Sequence, residues 1–196
     1  LAYTMSRELG QWASNCRFVE VVLNGEYVGV YVLMEKIKRN ANRVNIAKMT
    51  TADNSGDAGT GGYIFSLDKE PDGWFSSYPT PNSNFNDFRQ YSYVTPKLAD
   101  ITTEQMNYLK SYVDSFENAL AGPLYQDPDK GVRKFADLAS FMDYFFVNEI
   151  SRNVDGYRLS SYFHKDRNSI NSKIKAGPVW DYDLAFRNAD YCNGSY

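Results

Sequence analysis

Two stretches decide the interpretation of this sequence: Asn153-Val154-Asp155-Gly156-Tyr157-Arg158 and Gly177-Pro178-Val179-Trp180-Asp181-Tyr182-Asp183. Between them, residues 159–176 form two apolar runs around a polar turn, a pattern that predicts a β-hairpin. A hairpin folds the chain back on itself, so Asp155 and Asp181 are expected to face one small volume. Two loops that each supply a carboxylate are one way in which proteins hold magnesium and phosphate together.

The second stretch contains two carboxylates separated by one residue. In an extended segment Asp181 and Asp183 point the same way, which suits a hard cation such as Mg²⁺ or Mn²⁺. Their neighbours are apolar, and burying a carboxylate there is costly unless it is paired or bound to metal. We interpret both as metal ligands, although a D-x-D triplet alone is a weak signal.

The first stretch allows two interpretations of Asp155. An Asp before Gly usually satisfies backbone N–H groups in a turn, and on its own this one would be assigned that role. Paired with Asp181 across a hairpin, it is better interpreted as the base for a hydroxyl nucleophile. Asn153 and Arg158 flank it, and either one positions a phosphate or holds the loop.

Composition excludes several classes of function. The chain has 196 residues, enough for one sizeable core or two small lobes, and a net charge of −3, which argues against a nucleic-acid groove. No apolar run approaches the roughly 20 residues of a membrane helix. A single His argues against zinc. Cys16 and Cys192 would pair only in an oxidising compartment, and nothing in the sequence brings them together.

The first third of the chain predicts a helix followed by a sheet. Apolar residues at helical spacing predict an amphipathic helix that ends near Asn15. Phe18–Leu23 and Tyr27–Met34 flank Asn24-Gly25, a strong hairpin signal. Alternation over Gly62–Asp68 predicts a further strand.

The rest of the chain predicts a long loop and then helices. Residues 70–90, rich in Pro, Asn and Ser, are interpreted as an irregular loop. Thr102 and Gln105 fit a capping box that begins a helix ending at Gly122-Pro123, and another helix is expected over about 134–150. We therefore expect an α+β chain with a sheet-rich lobe over 1–68, a loop over 69–100 and a helical lobe over 101–196.

Three other residues allow both a structural and a functional role. Glu35 is either a solvated strand end or part of a hinge in which backbone groups of Met34, Glu35, Lys36 and Ile37 hydrogen-bond a nucleotide base. The lone His164 has no Ser or Cys partner pattern and is interpreted as structural. Glu149 is expected to form an ion pair with a cation that the sequence does not identify.

Taken together, these stretches resemble the CotH kinase family, the atypical kinase-like proteins named after spore-coat protein H. The resemblance covers nearly the whole chain, and the Trp-Asp-x-Asp block with the upstream Asn-x-Asp is its most specific part. The matching segments are residues 18–21, Asn24 to Ile37, Gly61-Gly62-Tyr63-Ile64, Val147-Asn148-Glu149, residues 153–158 and Gly177 to Phe186.

The resemblance implies a diverged, two-lobed protein-kinase-like fold that uses ATP and Mg²⁺ or Mn²⁺ to phosphorylate Ser on secreted or coat proteins. It implies that Asp155 is the catalytic-loop Asp, Asp181 the metal-binding Asp and Asp183 an auxiliary ligand. Met34–Ile37 would be the adenine hinge. It also favours a secreted or cell-surface location, although no signal peptide is found in this segment.

Three departures accompany the resemblance. Ser160 stands where kinases have a metal-binding Asn and is expected to take its place as a metal ligand. Arg187 stands where kinases have a Gly after the Ala-Phe pair. The chain opens in a mid-helix pattern, so we expect the strand with the phosphate-binding Lys to be missing and Glu8 to be its former partner. These departures leave open a non-catalytic surface-binding or scaffold module, or a phosphotransferase acting on small molecules.

Overall fold

The computed structural model describes residues 1–69, 73–79 and 88–192. Its strands are β1 (Cys16–Leu23), β2 (Glu26–Met34), β3 (Tyr63–Leu67), β4 (Gly73–Pro79), β5 (Phe88–Thr95), β6 (Ser161–Lys165) and β7 (Ile174–Ala176). Its α-helices are α1 (Ala2–Glu8), α2 (Thr103–Ala121), α3 (Leu138–Ser151) and α4 (Asn168–Asn171). The α+β class expected from the sequence is confirmed.

The first hairpin forms as predicted. β1 and β2 pair antiparallel with Leu23 opposite Glu26, which leaves Asn24-Gly25 as the turn. Asn24 has a φ of +52° and Gly25 a φ of +87°. Positive φ at both central residues is what a type I′ turn requires, and its twist matches that of the strands.

The helices differ from the prediction mainly at their starts and ends. The Thr102–Gln105 capping box at the start of α2 is confirmed. α1 ends at Glu8 rather than near Asn15, because Gly10, with a φ of +84°, turns the chain out of the helix. α3 begins at Leu138 rather than near 134, because the Asp137 carboxylate caps it by accepting a hydrogen bond from the Ser140 N–H.

A five-stranded antiparallel sheet has the order β4-β5-β3-β6-β7. The hairpin between the two carboxylate stretches is confirmed as β6 and β7, with α4 in its polar turn. β3 pairs with β6, so the segments assigned to a sheet lobe and a helical lobe contribute to one sheet. The division into two lobes is not confirmed.

The long loop expected over 70–90 is wrong in part. β4 and the start of β5 lie inside it, while residues 70–72 and 80–87 fall outside the described ranges. Trp74 is buried and stacks on Tyr91 of β5, with ring centroids 5.1 Å apart. The prolines and serines of this stretch favoured a loop in the prediction. The strand is stabilised by the contact of Trp74 with Tyr91, a residue on another strand that the local sequence does not identify.

The two faces of the sheet are covered differently. Phe65 faces α2 in a core that includes Leu109 and Val113. Ile64 lies on the opposite face and packs against Ile37, Val44 and Ile46. The segment that contains these last three residues covers that face only in part.

Two expectations about the whole chain can be compared with the structure. Within the described ranges, no helix is both long enough and apolar enough to span a membrane. Cys16 and Cys192 are both exposed free thiols and are not bonded to each other.

Candidate functional site

The first carboxylate loop follows α3. Arg152, with a φ of +49°, ends the helix and turns the chain into residues 153–158. The Asn153 Oδ1 atom accepts a hydrogen bond from the backbone N–H of Asp155 at 3.3 Å. This Asx-type turn sets the backbone of Asp155.

The Asp155 carboxylate has two partners. Arg158 donates to its Oδ1 atom at 2.5 Å and forms an ion pair, and the Tyr191 hydroxyl donates to the same oxygen at 3.2 Å. Arg158 therefore holds this loop, one of the two roles that the sequence allowed. The Oδ2 atom takes part in neither contact.

The second carboxylate loop follows β7. Val179 is buried, but Asp181 has a φ of +61°, so the extended segment expected over Asp181–Asp183 is wrong. The backbone N–H of Asp181 donates to the Tyr3 hydroxyl of α1 at 3.1 Å. Ser160 donates its hydroxyl to Oδ2 of Asp181 at 3.3 Å, so this residue contacts the carboxylate expected to bind metal.

Asp181 and Asp183 are both exposed, so the burial expected for them from their apolar neighbours is wrong. Partial desolvation nevertheless raises the pKa of Asp181 most, and repulsion from Asp183 is the next largest cause. The hydrogen bond from Ser160 acts in the opposite direction, while the charges of Asp155 and Asp68 raise this pKa further. The contact from Ser160 joins the chain just after the Asp155 loop to the Asp181 loop, and through it the two stretches meet.

Asp68 is a member of this group that sequence reasoning missed. It follows β3, and Leu67 of that strand lies opposite Ser161 of β6. Asp68 follows this last pair on β3 and Ser160 precedes it on the other chain segment, and Ser160 contacts Asp181. The sequence shows Asp68 as a carboxylate at the end of an apolar strand. Only the pairing of β3 with β6 shows that this strand end lies near the other acidic residues.

The described residues include no group of three or more His, Cys, Asp or Glu that is placed to hold a metal ion. Mg²⁺ is usually bound by one or two carboxylates, with waters and substrate phosphates completing its shell. Mutual repulsion at Asp181 and Asp183 would be relieved by a cation. The residues present fit a magnesium site shared with a phosphate, and they do not form a closed protein cage.

A cleft of about 990 Å³ opens on the partly covered face of the sheet. Asp68 lines it, which joins the cleft to the acidic group. Its apolar lining includes Ile37, Val94 and Tyr162, and its basic lining residues are Lys36, Lys38, Arg39, Lys48 and Lys97. The same cleft therefore offers an apolar surface, a cationic wall and carboxylates.

Only two of the four predicted hinge residues line this cleft. Lys36 and Ile37 line it, whereas Met34 and Glu35 are not among its lining residues. The Glu35 carboxylate accepts hydrogen bonds from the backbone and side-chain N–H groups of Asn15, at 3.0 and 2.9 Å. These bonds lower the pKa of Glu35, so its side chain fastens the base of the first hairpin.

Two other sequence interpretations have different outcomes. Glu149 accepts a hydrogen bond from the Tyr157 hydroxyl at 2.9 Å, and the described part of the chain provides no ion pair for it, so that prediction is wrong. The Nδ1 atom of His164 lies 3.0 Å from the Gly177 carbonyl oxygen. Burial lowers the pKa of His164, which agrees with a structural role for a neutral ring.

These features define an α+β domain in which acidic loops lie beside a cleft with a cationic wall. A family model described as CotH kinase protein matches residues 1–195, so the chain belongs to the CotH kinase family. A search of curated proteins found no match to this chain.

Proposed function

We propose that this domain is a metal-dependent protein kinase that transfers phosphate from ATP to Ser residues of secreted, coat or cell-surface proteins. The observation that carries the proposal is the contact of Ser160 with the Asp181 carboxylate, which joins the chain after Asp155 to the loop that contains Asp181 and Asp183. Asp155, Asp183 and Asp68 come from three segments, and all raise the pKa of Asp181. Carboxylates that repel one another in this way would be stabilised by a bound cation, which in turn would attract a phosphate.

The cleft is the proposed nucleotide site. Its volume of about 990 Å³ is at the upper end of the range of small-molecule pockets, roughly 300–1,000 Å³. Backbone groups at Lys36 and Ile37 would bind the base, and the cationic wall would bind the phosphates. On this proposal, the segment leading out of β2 and the sheet form the two sides of a kinase-like cleft.

Each site residue has a defined task. Asp181 and Asp183 would hold Mg²⁺ or Mn²⁺, which when bound neutralises the charge of the triphosphate. Asp155 would accept the proton of the substrate Ser, with Arg158 fixing its orientation. Ser160 would hold the Asp181 carboxylate in place. Asn153 sets the backbone of Asp155 through the turn described above.

A thermal shift assay with Mg²⁺ and ATP tests the proposal. We expect the melting temperature to rise with both together, because a ligand that binds only the folded state stabilises it. Asp181→Asn should abolish that metal-dependent rise. Asp129→Asn, at an exposed position remote in sequence from both loops, is the matched control and should retain it.

The activity itself requires a transfer assay with radiolabelled ATP and peptides that differ only in Ser, Thr or Tyr. Label on the Ser peptide that Asp155→Ala abolishes is the expected result. Phosphate transfer that survives Asp155→Ala, or transfer only to water in the presence of every peptide, would contradict the assignment.

One observation favours a second candidate, a non-catalytic surface-binding or scaffold module. The Asp155 carboxylate is already engaged by Arg158 at 2.5 Å and by Tyr191 at 3.2 Å. An Asp whose main task is to close a turn needs no substrate. If ATP binds but Asp155→Ala leaves the rate of ATP consumption unchanged, the scaffold function is the better description.

A further inference from the structure

Asn148 is a buried polar residue that the proposed chemistry does not use. It lies in the last turn of α3 and is 2% exposed. A buried amide in an apolar core is unfavourable unless its hydrogen-bonding groups find partners. Its partners therefore indicate what it does.

The side chain of Asn148 contacts both carboxylate loops. Its Oδ1 atom accepts a hydrogen bond from Nδ2 of Asn153 at 2.9 Å and another from the Tyr182 hydroxyl at 3.0 Å. Its Nδ2 atom donates to the backbone carbonyl of Tyr144 at 2.9 Å. A carbonyl oxygen can only accept, so this bond sets the orientation of the amide and aims Oδ1 at the loops.

These contacts continue to the acidic side chains on each side. On one side, the Oδ1 atom of Asn153 accepts a hydrogen bond from the backbone N–H of Asp155. On the other, Tyr182 lies between Asp181 and Asp183 in the chain. One amide oxygen therefore connects the backbone of Asp155 with the loop that contains the other two carboxylates.

Gly156 supports the same interpretation. A Cβ atom at this position would lie 2.7 Å from Oδ1 of Asn148, closer than real Cβ atoms approach. The loop can pack this tightly on the amide only because residue 156 has no side chain.

Helix capping does not account for this side chain. The backbone carbonyl of Asn148 accepts the Asn153 N–H at 3.0 Å and thereby satisfies the end of α3. That bond would persist with any side chain at position 148. The amide group is needed only for the connection between the loops.

We propose that Asn148 is a positioning residue that holds the Asp155 loop and the Asp181–Asp183 loop in their relative places through its Oδ1 atom. The consequence for catalysis rests on the proposed kinase function, whereas the connection itself does not. Without the amide, the Asn153 side chain and the Tyr182 hydroxyl lose a buried partner, which lowers the free-energy cost of opening either loop.

Hydrogen–deuterium exchange of Asn148→Leu and Tyr182→Phe tests the connection. The first variant removes both contacts, and the second removes one with little change in shape, which keeps the test valid if the first fails to fold. We expect exchange to accelerate about tenfold or more in residues 152–160 and 178–186 of Asn148→Leu, because an unpartnered buried group favours local opening. Tyr182→Phe should show the acceleration mainly in 178–186.

Ser140→Ala is the matched control. Ser140 is also buried in α3, donates to the Asp137 carbonyl and accepts the Ala176 N–H, but it lies at the other end of the helix. The Ser140→Ala variant should accelerate exchange near residues 137–140 and 176 without a selective change in the two loops. Equal exchange in Asn148→Leu and Ser140→Ala would overturn the proposal.

Kinetics separate this proposal from the kinase function. In an active protein, Asn148→Leu should lower kcat at least tenfold with a KM for ATP within about threefold, since the cleft is intact. If the wild type transfers phosphate and Asn148→Leu has the same kcat, the positioning role is rejected and the kinase function is retained. If Asn148→Leu selectively opens the two loops but the wild type transfers no phosphate, the kinase function is rejected and the connection through Asn148 is retained.

Discussion

The β1–β2 and β6–β7 hairpins have similar sequence signals and opposite environments. Both consist of apolar runs around a polar turn. In the β6–β7 hairpin, Ile174 is 1% exposed, and in the β1–β2 hairpin Phe18 is 82% exposed and Leu33 is 63% exposed. Whether the apolar residues of a hairpin are buried depends on the elements that pack against it and not on the sequence of its turn.

Neighbouring elements explain the difference. β6 pairs with β3, and β7 packs on α3, which encloses their side chains. β1 and β2 form a separate two-stranded sheet with no third strand among the described residues. An isolated hairpin is only marginally stable in water, so the enclosed hairpin is the one suited to present the two carboxylate loops at fixed positions.

Truncation of one apolar side chain in each hairpin should give the largest contrast. Ile174→Ala should lower the free energy of unfolding by roughly 2–5 kcal/mol, because it leaves a cavity in the core. Leu33→Ala should change it by no more than about 0.5 kcal/mol, because the side chain is already in water. Chemical denaturation of both variants measures this, and comparable losses would show that the first hairpin is also packed in solution.

A smaller effect is expected from Lys165 at the end of β6. Its side chain is fully buried, and its Nζ atom donates to the Thr60 carbonyl at 2.6 Å and to Asn168 Oδ1 at 2.9 Å. Burial lowers the pKa of Lys165 from 10.5 to about 8. Between these two values the unfolded chain binds more protons than the folded one, so the free energy of unfolding rises with pH.

Lys165→Met should remove this rise. From pH 7.5 to 9.5, the wild type should gain about 2 kcal/mol relative to the variant. Denaturation midpoints across this range measure the difference, and tyrosine ionisation, which begins in the unfolded chain at about pH 9.5, cancels because it affects wild type and variant alike. Parallel pH profiles for the two proteins would show that the lysine is charged and solvated in the folded state.

The smallest effect is expected at the turn of the exposed hairpin. Gly25 has a φ of +87°, and no atom of the described residues lies within 4 Å of the point that a Cβ would occupy there. Gly25→Ala therefore introduces backbone strain without a clash. The strain should destabilise the hairpin by about 1 kcal/mol, a factor of roughly five in its open population. Amide exchange in β1 and β2 measures it.

Asn24→Gly is the control for that prediction, since Gly also tolerates the φ of +52° at this position. Its exchange should match the wild type closely. If Gly25→Ala left β1 and β2 unchanged but altered exchange in β6, the two hairpins would be coupled, and the contrast between them would be weaker than the structure shows.

Sequence reasoning succeeded where the signal is local. The Asn24-Gly25 turn and the Thr102–Gln105 cap depend on residues within a few positions of each other, and both are confirmed. It failed at β4, whose buried Trp74 is stabilised by Tyr91. It also failed at Glu149, whose partner is a tyrosine hydroxyl and not a cation.

The candidate site shows the same division. The loops of Asp155 and Asp181 were apparent as motifs, and the resemblance suggested their roles. Asp68 was not found, because it joins them only through the pairing of β3 with β6. The importance of Asn148 was equally hidden, because its partners Asn153 and Tyr182 lie on different loops.

The amino-acid sequence alone determined the family, the α+β class, both hairpins and the two acidic motifs, because these follow from neighbouring residues and from patterns read along the chain. Only the tertiary structure decided the order of the strands, the single sheet shared by both halves, the cleft with its cationic wall and the connection through Asn148. Contacts such as that between the Ala47 N–H and the Asp166 carboxylate join residues 119 positions apart. Their partners are selected by the packing of the whole chain, which no local pattern specifies.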